Sequence, residues 1–270
     1  MKTKLVSAPY LVWMLVFILV PLIMVAYFAF TDENGNFTLD YVSDVAQYSQ
    51  IFVRSIWLAL IATVICLVIA YPLAYILTSM GKKSQGTMLM IVMLPMWMNF
   101  LLRTYAWMTL LGNNGLINTL LGYIGLGPYK MLNTEGAVIL GMVYNYLPFM
   151  ILPLYSVMVK IDRSVLEAAA DLGCNSRKTL FKVVLPLSLP GVMSGITMVF
   201  VPAISTFIIS RMLGGGGNLL IGDLIEMQFL GTSYNVNLGA AISLVLMVIV
   251  LLLMTIMNQF NADDGDVVLM

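Results

Sequence analysis

Long uninterrupted apolar runs alternate along this chain with short polar stretches. The run from Pro9 to Phe30 contains no charged residue and is long enough to cross about 30 Å of hydrocarbon as a helix. Five more runs follow, over about 56–80, 87–111, 136–159, 191–210 and 238–257. None of the intervening stretches is large enough to hold a soluble domain. The pattern predicts an all-α membrane protein whose six transmembrane helices form one bundle over 1–270. Pro72, Pro95, Pro148, Pro153 and Pro202 fall inside the runs, so bends are expected there, with neighbouring helices satisfying the freed backbone groups. The first run exceeds the roughly 7–15 apolar residues of a signal peptide, which reads as an uncleaved first helix.

Between the runs, residues 31–53 hold Asp32, Glu33, Asp40 and Asp44 and no Lys or Arg. Residues 112–135 are rich in Gly and Asn and read as a loop with a short surface helix. Residues 211–237 contain the glycines 214–217, an apolar stretch bearing Asp223 and Glu226, and a polar turn; after the last run comes an acidic tail with Asp263, Asp264 and Asp266. With the N-terminus inside, one side collects Lys2, Lys4, Lys82, Lys83, Lys160, Arg163, Arg177, Lys178 and Lys182, and the other Arg54, Arg103, Lys130 and Arg211. The excess of cations marks the cytoplasmic side, placing both termini and residues 160–190 there.

That charged stretch has legible punctuation. Ser164 and Glu167 have the spacing of a capping box, Ala168 to Ala170 propagate a helix, and Gly173 can take the left-handed conformation that ends it. Asn175 or Ser176 can cap a second helix bearing Arg177, Lys178 and Lys182, which Pro186 and Pro190 are expected to stop. The prediction is a compact helix–turn–helix on the membrane surface, tethered to the bilayer on both sides and hence no reader of nucleic acid.

Glu167-Ala168-Ala169, with Asp171, Gly173, Val183 and Leu185-Pro186 at their spacings, resembles the EAA loop of membrane subunits of ATP-binding-cassette importers of the MetI-like superfamily; the family prefers Ile at the position of Val183. The resemblance implies a coupling helix that docks on a separate ATPase, with Glu167, Ala168, Ala169, Asp171, Gly173, Arg177, Lys178, Leu185 and Pro186 as its contact residues. Leu94-Pro95 through Arg103-Thr104-Tyr105-Ala106-Trp107, with Gly115-Leu116-Ile117-Asn118, is similar to the third-helix region of polyamine permeases of that superfamily. Leu213-Gly214-Gly215-Gly216 and Leu220-Ile221-Gly222-Asp223-Leu224-Ile225 resemble their connector between the fifth and sixth helices. The likeness implies a spermidine/putrescine importer in a bacterial inner membrane. Its partners would be two ATPase copies that bind ATP and Mg, a second homologous permease, and a periplasmic or extracellular polyamine-binding protein.

Composition agrees with a lipid setting: 61% of residues are hydrophobic and 10% charged, against about 25% charged in ordinary globular chains. Cys66 and Cys174 make no disulfide framework, and histidine, the commonest general base and metal ligand, is absent. There is no P-loop, no Ser/His/Asp set and no metal-spaced ligand cluster, so the reading is a transport subunit rather than an enzyme, with no cofactor of its own. The glycines 214–217 read as a flexible hinge.

A polyamine needs carboxylates spaced along its path and aromatic faces for cation–π contact. Asp223 and Glu226 share a face if their stretch is helical, and Trp97, Tyr105, Trp107, Tyr144 and Tyr146 are the candidate aromatics. The competing readings are an interfacial aromatic belt, and acids that merely pair with Arg211 or Arg103. Arg103 would repel a cation and is expected to anchor an acidic neighbour. Related permeases carry opines, other amines or organic anions. An ion-coupled secondary transporter would need a coupling acid within the membrane, and the first, second, fourth, fifth and sixth runs carry none.

Overall fold

The computed structural model describes residues 8–231 and 233–267, with side chains over 9–231 and 233–257. Among these residues the structure is helical apart from one antiparallel bridge, Thr31 to Phe37. Helix α1 runs through Ala8–Met14, a π turn Leu15–Leu19, and Val20–Ala29. It is apolar all round, as a lipid-facing rod should be, and most of its side chains are exposed. The short α2, Asp40–Asp44, leads by a 3₁₀ turn into α3, Ser49–Ser79. The loop before it is shaped by Asp32, whose Oδ1 accepts the Asn34 and Asn36 N–H groups at 2.9 and 2.7 Å.

Three helices form the heart of the bundle: α3, α7 (Glu135–Met158) and the long rod α9 (Ser176–Ile204). Helix α3 turns a stripe of small residues inward: Ala59, Ala62, Cys66, Ala70 and Ala74 are all fully buried. Lipid tails are as apolar as a helix surface, so association in the bilayer depends on such close backbone approach. Between α7 and α9 the approach is closer still. A Cβ on Gly195 would lie 2.6 Å from Met150 Sδ, and one on Gly191 would lie 3.0 Å from the Pro153 carbonyl oxygen. Helix α1 packs on α12 (Val236–Val267), and α12 joins the rest through α9 and α11 (Ile221–Leu230). The Asn237 amide fastens the start of α12 to the end of α1, donating to the Phe28 and Thr31 carbonyls.

Two expectations give way. The third apolar run, 87–111, is not one continuous helix. It is α4 (Lys82–Met93), a 3₁₀ turn Leu94–Trp97, and α5 (Phe100–Leu111), with the rods either side of the break bent by 86°. Asn99 is the cause: its Oδ1 accepts the N–H groups of Leu101 and Leu102, which starts a new helix just after the turn at Pro95. Five helices are long and apolar enough to cross a membrane alone, and six spans result when the bent pair counts as one.

The fifth run also differs. Pro186 and Pro190 do not stop the helix that begins at Ser176. The rod α9 continues through Ser176–Thr179, a π turn Leu180–Val184, and Leu185–Ile204. The Leu185 N–H reaches back to the Leu180 carbonyl, five residues away, so the backbone has already left the α pattern where Pro186 lacks its N–H. The rod ends at Ile204, short of the expected 210, and α10 (Ile208–Gly214) begins beyond a break. The 112–135 stretch contains α6, Leu116–Tyr123. Its buried Asn118 donates to the Gly112 and Tyr129 carbonyls at 3.1 and 3.0 Å and accepts the Tyr129 N–H at 2.9 Å.

Candidate functional site

The hairpin over 160–190 stands at one end of α7. Helix α8, Arg163–Asp171, is capped by Asp162, whose carboxylate accepts the Ser164 N–H at 3.0 Å. The expected Ser164–Glu167 capping box is therefore replaced. A carboxylate is the stronger acceptor, and it starts the helix early enough to put Ser164 inside the first turn. The other end follows the expectation: Gly173 has φ +76°, the Gly173 N–H bonds the Ala170 carbonyl, and the Cys174 N–H bonds the Ala169 carbonyl at 3.0 Å. This is a Schellman ending. Asn175 Oδ1 then accepts the Lys178 N–H at 2.9 Å and caps the start of α9.

Of the residues read as contacts, Glu167, Ala168, Asp171, Gly173, Arg177, Lys178 and Pro186 are exposed, Leu185 is half-buried, and Ala169 faces inward. Two features escaped the sequence reading. Leu172 at the hairpin tip is 85% exposed and Phe181 is 63% exposed, apolar side chains standing among charges. Behind α8 lies a cleft of about 510 Å³, lined among others by Thr78, Lys82, Gln85, Arg163 and Glu167. Gln85 closes its floor, donating to the Thr78 and Met80 carbonyls and accepting from the Tyr155 hydroxyl.

The acids lie at the opposite end of α7, about 36 Å away along 24 helical residues. There Arg54 of α3 donates to Glu135 Oε1 at 2.7 Å and to Asn218 Oδ1. Within the glycine run the close fit is at Gly215. The Asn133 N–H bonds the Leu213 carbonyl at 2.8 Å, and Gly215, at φ +64°, leaves no room for a Cβ against Asn133.

Helix α11 does carry Asp223 and Glu226 one turn apart. Asp223 is 3% exposed, and its Oδ2 accepts the Leu220 N–H at 2.9 Å, capping its own helix. Burial pushes its carboxyl above the ordinary value, and the hydrogen bond from the Leu220 N–H pulls against that. Glu226 takes Arg211 of α10: Nη1 donates to Oε1 at 2.8 Å. Nη2 also stands 2.8 Å from Oε2, but out of line for a hydrogen bond, so that oxygen is enclosed without a donor. Beside this pair is a cavity of about 250 Å³ lined by Ser210, Arg211, Asn218, Asp223 and Met227.

The aromatics divide. Trp107 and Tyr144 pair edge to face at 5.4 Å. Tyr146 is buried and its hydroxyl donates to the Pro202 carbonyl at 3.3 Å, beside the break on which α11 sits. Trp97 and Tyr105 are 71% and 56% exposed on the outside of the bundle. Arg103 does not anchor an acid. It is buried over the Phe100 ring at 5.8 Å, and its Nε and Nη1 have no acceptor among the described residues. Glu226 is already taken by Arg211.

Comparison with known proteins places this geometry in a family. Residues 70–262 match the family "Binding-protein-dependent transport system inner membrane component". The chain is 39% identical over 259 residues to the spermidine/putrescine transport system permease protein PotB of Haemophilus influenzae, covering 92% of this chain and 90% of that protein. It is 35% identical over 254 residues to PotB of Escherichia coli K12, covering 90% and 92%. Its fold superposes on a chain of a bacterial ABC transporter that imports the acidic polysaccharide alginate, with TM-score 0.79 and 18% identity over 97% of this chain and 95% of that one. With its helical bundle, its broken third span and a match over most of its length, the chain belongs to the inner-membrane permease components of binding-protein-dependent ABC importers.

Proposed function

We propose that this chain is one of two permease subunits of an ATP-driven polyamine importer, with spermidine and putrescine as substrates. The orientation is that read from the cation bias, with both termini and the hairpin over 160–190 in the cytoplasm. The observation that carries the coupling role is the hairpin's build: capped at Asp162, closed at Gly173 and Asn175, and presenting Leu172, Glu167 and Ala168 outward. A short helix with little side-chain bulk and one protruding leucine suits insertion into a cleft of a separate ATPase. ATP and Mg belong to that ATPase, and a binding protein delivers substrate to the opposite end.

There Asp223 and Glu226 supply negative charge beside a cavity, and an ammonium group of a polyamine has the complementary charge. The 35–39% identity to spermidine/putrescine permeases supports that substrate class. A second reading, import of an organic anion, is favoured by one observation only, the unpartnered guanidinium of Arg103. Both parts are tested in proteoliposomes holding the whole complex. Labelled spermidine enters with ATP and is competed by putrescine and not by a dicarboxylate. Glu167→Arg leaves the permease pair assembled but strips the ATPase on purification and abolishes uptake. Full ATPase retention and uptake in that variant would overturn the coupling role, and competition by the dicarboxylate alone would overturn the polyamine reading.

A further inference from the structure

We infer that Arg211 is a built-in competitor for the substrate: its guanidinium occupies the carboxylate of Glu226 that a polyamine ammonium takes during transport. This rests on the polyamine reading above and adds to it a cation already seated in the acidic site.

Three features of the pair point the same way. First, the pair is placed to be exchanged rather than to hold the fold. The Arg211 side chain is 55% exposed while that of Glu226 is 19% exposed, so the cation sits at the surface of this chain and can leave without opening its core. Half-exposed ion pairs of this kind hold only weakly. Secondly, the pair is held by one hydrogen bond rather than by a full fork. Nη1 donates to Oε1 at 2.8 Å, while Nη2 stands 2.8 Å from Oε2 without donating to it. An ammonium carries three donors on a compact head and, taking the guanidinium's place, can direct one at each oxygen. Thirdly, there is room for the incoming group. The cavity beside the pair is lined by Arg211 itself and by Asp223, a buried carboxylate one turn away on the same helix. An amine in it has Asp223 within the same lining and competes with Arg211 for Glu226.

The arrangement solves a problem of an acidic site in a membrane protein. An empty pair of carboxylates in a partly desolvated cavity is costly, and it would also hold its cation too tightly for onward passage. A tethered arginine neutralises the site between loads and returns to expel the substrate. The alternative role, a static brace between α10 and α11, requires that substrate binding be indifferent to Arg211.

The test is equilibrium binding of labelled putrescine and spermidine to the nucleotide-free complex in nanodiscs, without the binding protein, so that affinity reports on the permease. Arg211→Gln is expected to tighten binding about fivefold, and Arg211→Lys, which keeps the charge but loses the fork, to fall between it and wild type. Glu226→Gln and Asp223→Asn are each expected to weaken binding at least tenfold. Unchanged or weaker binding in Arg211→Gln, with loss in Glu226→Gln, would overturn the competition while leaving the acidic site standing. No effect in either acidic variant would remove the site itself. Should Arg211→Gln fail to assemble, Arg211→Lys decides: affinity no higher than wild type overturns the inference.

Discussion

Gly222 is where the acidic site is bolted to the rest of the bundle, and adding one methyl group there tests how tightly. A Cβ on Gly222 would lie 2.4 Å from the Ser205 carbonyl oxygen and 2.6 Å from that of Thr206. Both are backbone atoms of the break between α9 and α10, so no rotamer change relieves the clash. Reaching even 3.0 Å, a separation real Cβ atoms rarely undercut, moves the N-terminus of α11 by about 0.6 Å. That end is tied to α3 by the Ile221 N–H, which donates to Ser55 Oγ at 2.9 Å. A shift of this size carries that bond to the limit of hydrogen bonding. Overpacking of a close-fitted interior costs about 1–3 kcal/mol, and the upper half of that range applies because the obstacle is backbone. Gly222→Ala should therefore lower the melting temperature of the purified complex by several degrees. It should cut ATP-driven spermidine uptake at least tenfold while the ATPase stays bound, since the hairpin lies at the other end of α7. Gly217→Ala is the control: nothing lies within 4 Å of its Cβ, and it should melt and transport as wild type. A Gly222→Ala complex indistinguishable from wild type, or a Gly217→Ala complex equally damaged, would refute the close-contact reasoning.

Two further outcomes can be measured on the connecting segments. Asn118→Ala removes one donor group and one acceptor that hold three backbone groups, and leaves the Tyr129 N–H without its partner. A local loss of about 2–4 kcal/mol is expected, seen as faster proteolysis between 124 and 131 with the spans intact. At Asp32, the Asn36 backbone N–H, with help from Asn34, holds the carboxyl below its ordinary 3.8. A lowered carboxyl pKa gives stability that is complete above the ordinary value and is lost as pH falls through the folded one. Hydrogen-exchange protection of the Asn34 and Asn36 amides should hold from neutral pH to about pH 5 and collapse below 3.8; protection unchanged at pH 2 would refute it.

Much of this was legible because membrane helices announce themselves by length and lack of charge. The hairpin's Gly173 and Asn175 were equally plain, since a left-handed ending and an N-cap are local demands that few residue types meet. What the chain hid was competition between local signals. Asp162 precedes Ser164 and takes the cap from it. Asn99 starts a helix inside a run whose hydropathy alone suggests one span. Pro186 and Pro190, breakers in water, are absorbed by a π turn and a continuing rod, because in a bilayer a backbone group has no solvent to turn to. The partners of charged groups were out of reach altogether. Whether Arg211 or Arg103 meets Glu226 depends on how α10 and α5 are placed, which no spacing records. Only the structure shows one arginine paired and the other without an acceptor.

The two ends of the molecule are joined by elements that cannot slide on one another. Helix α7 carries Glu135 in the Arg54 clamp at one end and Met158 against the hairpin cleft at the other. Along its length α9 meets it through Gly191 and Gly195, with no space for even a methyl group, and α3 meets it with a stripe of fully buried small residues. Packed surfaces of this kind move as one body or not at all. A push on the hairpin cannot then be taken up within the three-helix heart; it must appear where the rods are already interrupted. The interruptions are the π turn 180–184, the break at Met98 and Asn99, and the segment 205–207 on which Gly222 rests. The last of these holds α10 and α11, and with them Arg211, Asp223 and Glu226. Displacement of the break by a few tenths of an ångström alters the geometry of the Arg211–Glu226 pair, because α10 continues from it and α11 rests on it through Gly222. On the proposed coupling, a motor acting on α8 would reach the acidic cavity through one rigid body and one hinge.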